Sequence, residues 1–154
     1  MAAPSDTEVR QAIYRLFVET GQAPVPAQVA ATLGMSTAEA EAAYRRLADA
    51  HVLVLAPGTP YIWLANPLSA APSPFTVRTA GREWHGICIW DALGIIAMLG
   101  EPGRESGSVQ TWCPDCTEPL ALDVRDGEVS VREGDALLHF AVPARQWWDD
   151  IGFS

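Results

Sequence analysis

The sequence predicts an α+β protein in two parts, and three observations carry that prediction. The first third holds three successive apolar patterns of helical period, closed by two short strand patterns. A stretch rich in Pro, Ser and Ala interrupts the chain at 67–74. Beyond it, strand-like alternation surrounds a single apolar run from Ile87 to Leu99, too short for a bilayer and long enough for a buried helix. The expected organisation is a three-helix unit with a β-hairpin over 1–66, a linker over 67–74, and a mostly antiparallel sheet holding one buried helix over 75–154.

The elements follow in order. Ser5 or Asp6 caps a first helix with Val9, Ile13, Leu16 and Phe17 on one face, ending near Gly21. A short second helix follows Pro26, with Val29 and Leu33 inward and Gly34 as its stop. Ser36 and Glu39 form a capping box that opens a third helix, with Ala40, Ala43, Tyr44 and Leu47 on its apolar face. Val52 to Leu55, a turn at Pro57-Gly58-Thr59-Pro60, and Tyr61 to Leu64 make the hairpin. That order is the order of a winged helix-turn-helix. DNA is nevertheless not the expected partner. The first turns of the third helix, which would enter the major groove, offer Glu39 and Glu41, and the basic pair Arg45-Arg46 lies further along. A packing or lid module is the expectation for this unit.

In the second part, Phe75 to Thr79 alternates as a strand and the helix around Cys88 runs to a stop at Gly100. Strand patterns recur at Ser108–Trp112, Leu120–Val124, Val129–Arg132 and Ala136–Val142. Asp126-Gly127 is a hairpin turn, and Gly134-Asp135 a second turn.

Composition narrows the function. The formal net charge is −9, and all ten basic residues are Arg, scattered from Arg10 to Arg145. Such a chain is repelled by a duplex. No apolar stretch reaches bilayer length and no secretory signal is visible at the start, so a soluble, cytoplasmic protein without a membrane partner is expected. Three cysteines, an odd number, suit a reducing compartment.

The chemistry concentrates at Cys88 and Asp91, one helical turn apart in an otherwise apolar run. The i, i+3 spacing puts both on one face, close enough to act on one atom. At a helix start a thiolate is stabilised by free N–H groups, while a carboxyl in apolar surroundings has its pKa raised and holds a proton to give away. The pair reads as a soft-metal anchor beside a proton donor. The structural alternative is a buried cysteine beside an aspartate that stabilises the helix dipole. Cys113-Pro114-Asp115-Cys116 is a second cysteine motif. It is half of a zinc knuckle, with His51, His85, His139 and Cys88 as the other candidate ligands, or a pair of small residues tightening a turn.

Arg78-Thr79-Ala80-Gly81, Trp84, Cys88-Ile89-Trp90-Asp91-Ala92-Leu93 and Cys113-Pro114-Asp115-Cys116-Thr117-Glu118-Pro119 together resemble the alkylmercury (organomercurial) lyase family. The Pro-Ala-Arg-Gln-Trp-Trp-Asp-Asp stretch at 143–150 is similar to the segment before that family's last active-site residue. The resemblance implies protonolysis of carbon–mercury bonds, giving Hg(II) and a hydrocarbon. It implies Cys88 as the mercury-binding nucleophile and Asp91 as the proton donor, with Trp84 and Trp90 lining a dry pocket or packing in the core. The implied substrate is a small organomercurial, with low-molecular-weight thiols as partners. No cofactor is required, Hg(II) is the bound product, and Cys113 and Cys116 are candidate zinc or sensor ligands.

One departure stands out. The family's second catalytic cysteine lies just past the aromatic-acidic segment, and here no cysteine follows Cys116. A shortened chain, a second thiolate supplied by Cys113 or Cys116, and a homologue without lyase activity all remain open. A sheet ending here would have an open edge, from which lower stability or dimer pairing is expected. A reading from another class is a non-enzymatic winged-helix regulator, with Cys88, Cys113 and Cys116 converging on one metal.

Overall fold

The computed structural model describes residues 3–113, 115–135, 137 and 142–151. The chain divides into two compact units, Met1–Ala71 and Pro72–Ser154, with the division falling inside the segment expected to connect them.

The first unit begins with α1 (Asp6–Thr20), α2 (Pro26–Leu33) and α3 (Thr37–Asp49). Capping sets their limits. Ser5 with Glu8, and Ser36 with Glu39, each form a reciprocal box that satisfies backbone N–H groups at a helix start. Pro26 opens α2, where its lack of an N–H costs nothing, and Gly21 and Gly34 end α1 and α2 in left-handed conformation. Val9, Ile13, Phe17, Val29, Ala43 and Tyr44 are buried, and the Tyr44 hydroxyl donates to the Pro24 carbonyl at 3.0 Å. The three strands that follow, β1 (Val54–Leu55), β2 (Ile62–Ala65) and β3 (Leu68–Ser69), pair antiparallel in that order. The hairpin expected from sequence is therefore joined by a third strand, reached through a cis Asn66–Pro67 bond. Leu68 and Ser69 hide there among Pro, Ser and Ala, whose composition conceals a two-residue strand. On α3, Arg45 pairs with Glu41 and Arg46 with Asp6.

The second unit is a five-stranded sheet crossed by one helix. Its strands are β4 (Phe75–Thr79), β5 (Arg82–Gly86), β6 (Gly107–Trp112), β7 (Pro119–Arg125) and β8 (Glu128–Glu133), in the order β5-β4-β6-β7-β8. Every neighbouring pair is antiparallel. β5 has no counterpart in the strand pattern of the sequence. It returns from β4 through Ala80-Gly81, both at positive φ, the two-residue turn that matches strand twist. Asp126-Gly127 repeats that geometry between β7 and β8, as its sequence suggests.

The helix α4 (Ile89–Leu99) packs against β4, β5 and β6. Val77, Trp84 and Val109 stand in register on one sheet face, and Ala92, Ile95 and Ile96 are the buried residues of the helix. Each fully buried aliphatic side chain here contributes about 1.5–3 kcal/mol. Two glycines on that face, Gly86 and Gly107, let the helix close on the strands. A Cβ on Gly107 would lie 3.0 Å from the Ile96 side chain. The 143–150 segment forms a 3₁₀ helix over Ala144–Asp149. The strand expected over 136–142 falls almost wholly outside the described residues.

Candidate active site at the start of the fourth helix

Cys88 is the N-cap of α4, extended at φ −146° and ψ 175°. Its sulfur does the work that the Ser5 and Ser36 hydroxyls do at the starts of α1 and α3. The Asp91 N–H donates to Cys88 Sγ at 3.4 Å, which satisfies one free donor of the first turn. In return the Cys88 thiol donates to Asp91 Oδ2 at 3.6 Å. The sulfur and the acid therefore converge, as the i, i+3 spacing requires. Both side chains are half-buried, so the pair is neither sealed in the core nor freely hydrated.

Burial dominates the electrostatics. It pushes the Asp91 carboxyl above the ordinary carboxylate range, against the pull of the Ile87 N–H and the Cys88 thiol, which both donate to it. Burial likewise pushes the Cys88 thiol up, and the neighbouring Asp91 carboxylate adds to the rise. The N–H groups of Asp91 and Trp90 act in the opposite sense and do not prevail. The sequence expectation of a thiol acidified by the helix start is thus reversed: the donors are in place, but desolvation outweighs them. At rest the thiol is hydrogen-bonded to a carboxyl whose pKa burial raises.

Gly86 is the site residue that sequence reasoning missed. A Cβ there would lie 2.9 Å from the Ala92 nitrogen and 2.9 Å from the Asp91 Cβ. Only a glycine lets the end of β5 touch the first turn of α4 so closely. The Ser73 hydroxyl donates to the Gly86 carbonyl and accepts from the Phe75 N–H, tying the start of β4 to the end of β5 beside the acid. The sequence signal was a glycine two residues before the helix cap.

The two tryptophans take different places. Trp84 is 4% exposed on the helix-facing side of the sheet, and its indole N–H donates to the Thr79 carbonyl at 3.3 Å. Trp90 is 58% exposed in the first turn of α4.

Cys113 and Cys116 lie on the turn between β6 and β7. The Cys113 N–H donates to the Glu118 carbonyl at 2.9 Å, and the Thr117 N–H to the Cys113 carbonyl at 2.8 Å. Thr117 reverses the chain at φ 61°. The N–H groups of Cys116 and Asp115 and the Cys116 thiol all donate to the Cys113 sulfur, which holds that thiol below its ordinary range. At Cys116 the Glu118 N–H pulls the other way, but donation to Cys113 together with desolvation leaves the thiol raised. All three cysteines are free. Among the described residues no three His, Cys, Asp or Glu side chains lie close enough to hold a metal together. The convergence of Cys88 with Cys113 and Cys116 expected for a three-thiolate sensor is therefore not found, because the helix start and the β6–β7 turn carry them to separate places.

A half-buried thiol hydrogen-bonded to a carboxyl of raised pKa, at the mouth of a helix laid across an antiparallel sheet, defines an α+β protein built around one thiol–acid pair. The family model for alkylmercury lyase (MerB) matches residues 68–153. The chain belongs to that family. The mercury-bound form of MerB2, a solved structure, matches with a TM-score of 0.62 at 19% identity, over 81% of this chain. At that identity the likeness concerns the fold, and this chain spans 60% of the length of that one. No curated protein matches the chain.

Proposed function

We propose that this protein cleaves carbon–mercury bonds by protonolysis, with Cys88 capturing mercury and Asp91 delivering the proton. The observation that supports this reading is the 3.6 Å hydrogen bond from Cys88 Sγ to Asp91 Oδ2 in a half-buried setting. Mercury is a soft metal, so a thiolate is its preferred protein ligand. As the S–Hg bond forms, the Cys88 proton passes along that hydrogen bond to the Asp91 carboxylate, and the ligand previously on mercury leaves as an anion. A low-molecular-weight thiolate then adds to mercury and raises its electron density. Asp91 returns its proton to the carbon, the Hg–C bond breaks, and the hydrocarbon departs. Hg(II) is left between Cys88 sulfur and the small thiolate. An acid whose pKa is raised by burial suits this step, because it keeps the proton until the poorly basic carbon takes it.

The substrate in this proposal is a small organomercurial and the setting is the cytoplasm, where thiols stay reduced. Among the described residues no helix is long and apolar enough to cross a membrane. The first unit serves as a winged-helix module for packing rather than for reading DNA. Its helix α3 opens with Glu39 and Glu41, and Arg45 and Arg46 are engaged in ion pairs.

The test is release of hydrocarbon from a simple organomercurial with excess thiol. Cys88→Ser and Asp91→Ala are each expected to abolish it. Turnover by either variant at the parent rate would overturn the proposal.

A further inference from the structure

We propose that Cys113 and Cys116 form a second metal site, on the β6–β7 turn, that takes Hg(II) between two sulfurs. The turn is built to keep the two together. Backbone hydrogen bonds at 2.9 and 2.8 Å close it, and the reversal at Thr117 brings the Cys116 thiol to donate to the Cys113 sulfur. The site is open, with Cys116 exposed and Cys113 half-buried. The N–H groups of Asp115 and Cys116 aim at one sulfur and that of Glu118 at the other.

Two sulfur donors suit a soft ion that accepts two ligands. A closed zinc site needs four ligands. Among the described residues no third His, Cys, Asp or Glu joins this pair. Two thiolates are half a zinc site, but they complete the two-coordinate arrangement that Hg(II) prefers. Soft sulfur donors supply the matching selectivity. On binding, two S–H bonds break and two S–Hg bonds form with no change in oxidation state. The two protons pass to buffer, or to the two small thiolates displaced when mercury arrives as their complex. That the mercury is the product of this protein's own reaction rests on the proposed lyase activity. The binding itself does not.

The experiment uses the full chain carrying Cys88→Ser, titrated with mercuric chloride. Serine is a good N-cap, so α4 is kept while the Cys88 thiol is removed. One Hg(II) per chain is expected, with both remaining thiols lost to a thiol reagent together and sulfur-to-mercury absorbance saturating at one equivalent. Adding Cys116→Ser should make mercury about 100-fold easier to strip with a competing monothiol, the scale on which joining two binding groups raises avidity. Loss of one thiol per Hg(II), equal retention by the Cys116→Ser chain, or mercury-bridged dimers would each overturn the proposal. Hydrocarbon release enters none of these readouts, so failure here and failure of the lyase reading are distinguished.

Discussion

Gly86 and Asp91 are pressed together: a methyl group on the glycine would meet the aspartate Cβ at 2.9 Å. The contact sets the height of the first turn of α4 above β5, and so the position of the acid relative to the sulfur. Gly86→Ala should therefore act twice. Overpacking is expected to cost about 1–3 kcal/mol, seen as a lower urea midpoint. Displacing the turn by about 1 Å should slow hydrocarbon release by about 100-fold, well beyond the stability loss measured under assay conditions.

Cys88→Ser separates the structural role of this residue from its chemistry. The serine hydroxyl accepts from the Asp91 N–H as the sulfur does, so stability should stay within about 1 kcal/mol of the parent. Hydrocarbon release should vanish, because an oxygen ligand does not compete for a soft metal. Thermal melts read the first expectation and gas chromatography of the headspace reads the second. A variant that unfolds would mean the sulfur is held for packing.

Asp91→Asn should make the thiol more reactive and the enzyme less active at once. The carboxylate raises the Cys88 pKa by its charge and by accepting the thiol proton, so its removal lowers that pKa. Alkylation of Cys88 by iodoacetamide, followed against pH, should shift to lower pH in the variant. Hydrocarbon release should fall by about 100- to 10,000-fold, the usual contribution of a positioned acid. Alkylation and turnover falling together would point to a displaced helix instead.

Much of this was legible in the sequence wherever a residue announces its own backbone geometry. Ser36 with Glu39, Pro26, Gly34 and Asp126-Gly127 each fixed an element boundary, because caps and turns depend on local hydrogen bonds and φ angles. The Cys88–Asp91 pair was legible for the same reason, since helical spacing alone brings i and i+3 together. β5 was not, because Ala80 is an unusual residue at positive φ, and Arg82-Glu83 mask the inward Trp84 and Gly86. Nor was the direction of the Cys88 shift. It is set by burial beneath and beside the helix start, a property of packing that no local pattern encodes. The separation of Cys88 from the Cys113–Cys116 turn likewise depends on which strands pair, and spacing along the chain is silent about that.

The raised Asp91 pKa carries a stability signature of definite sign. In the unfolded chain this carboxyl titrates near its ordinary value of 3.8, and in the folded chain at a higher pH. Between the two values the native state holds a proton that the unfolded state has released, so stability falls as pH rises through that window. Asp91→Asn keeps an acceptor for the Ile87 N–H but has nothing to titrate. Its stability relative to the parent should therefore be greatest at neutral pH and shrink as both are acidified toward about pH 4, where the parent carboxyl is protonated too. Urea midpoints of the two chains, measured at matched pH, give the difference directly. A gap that stays constant with pH, or widens on acidification, would show that burial does not raise this carboxyl's pKa, and the support that the raised pKa lends to Asp91 as proton donor would be lost.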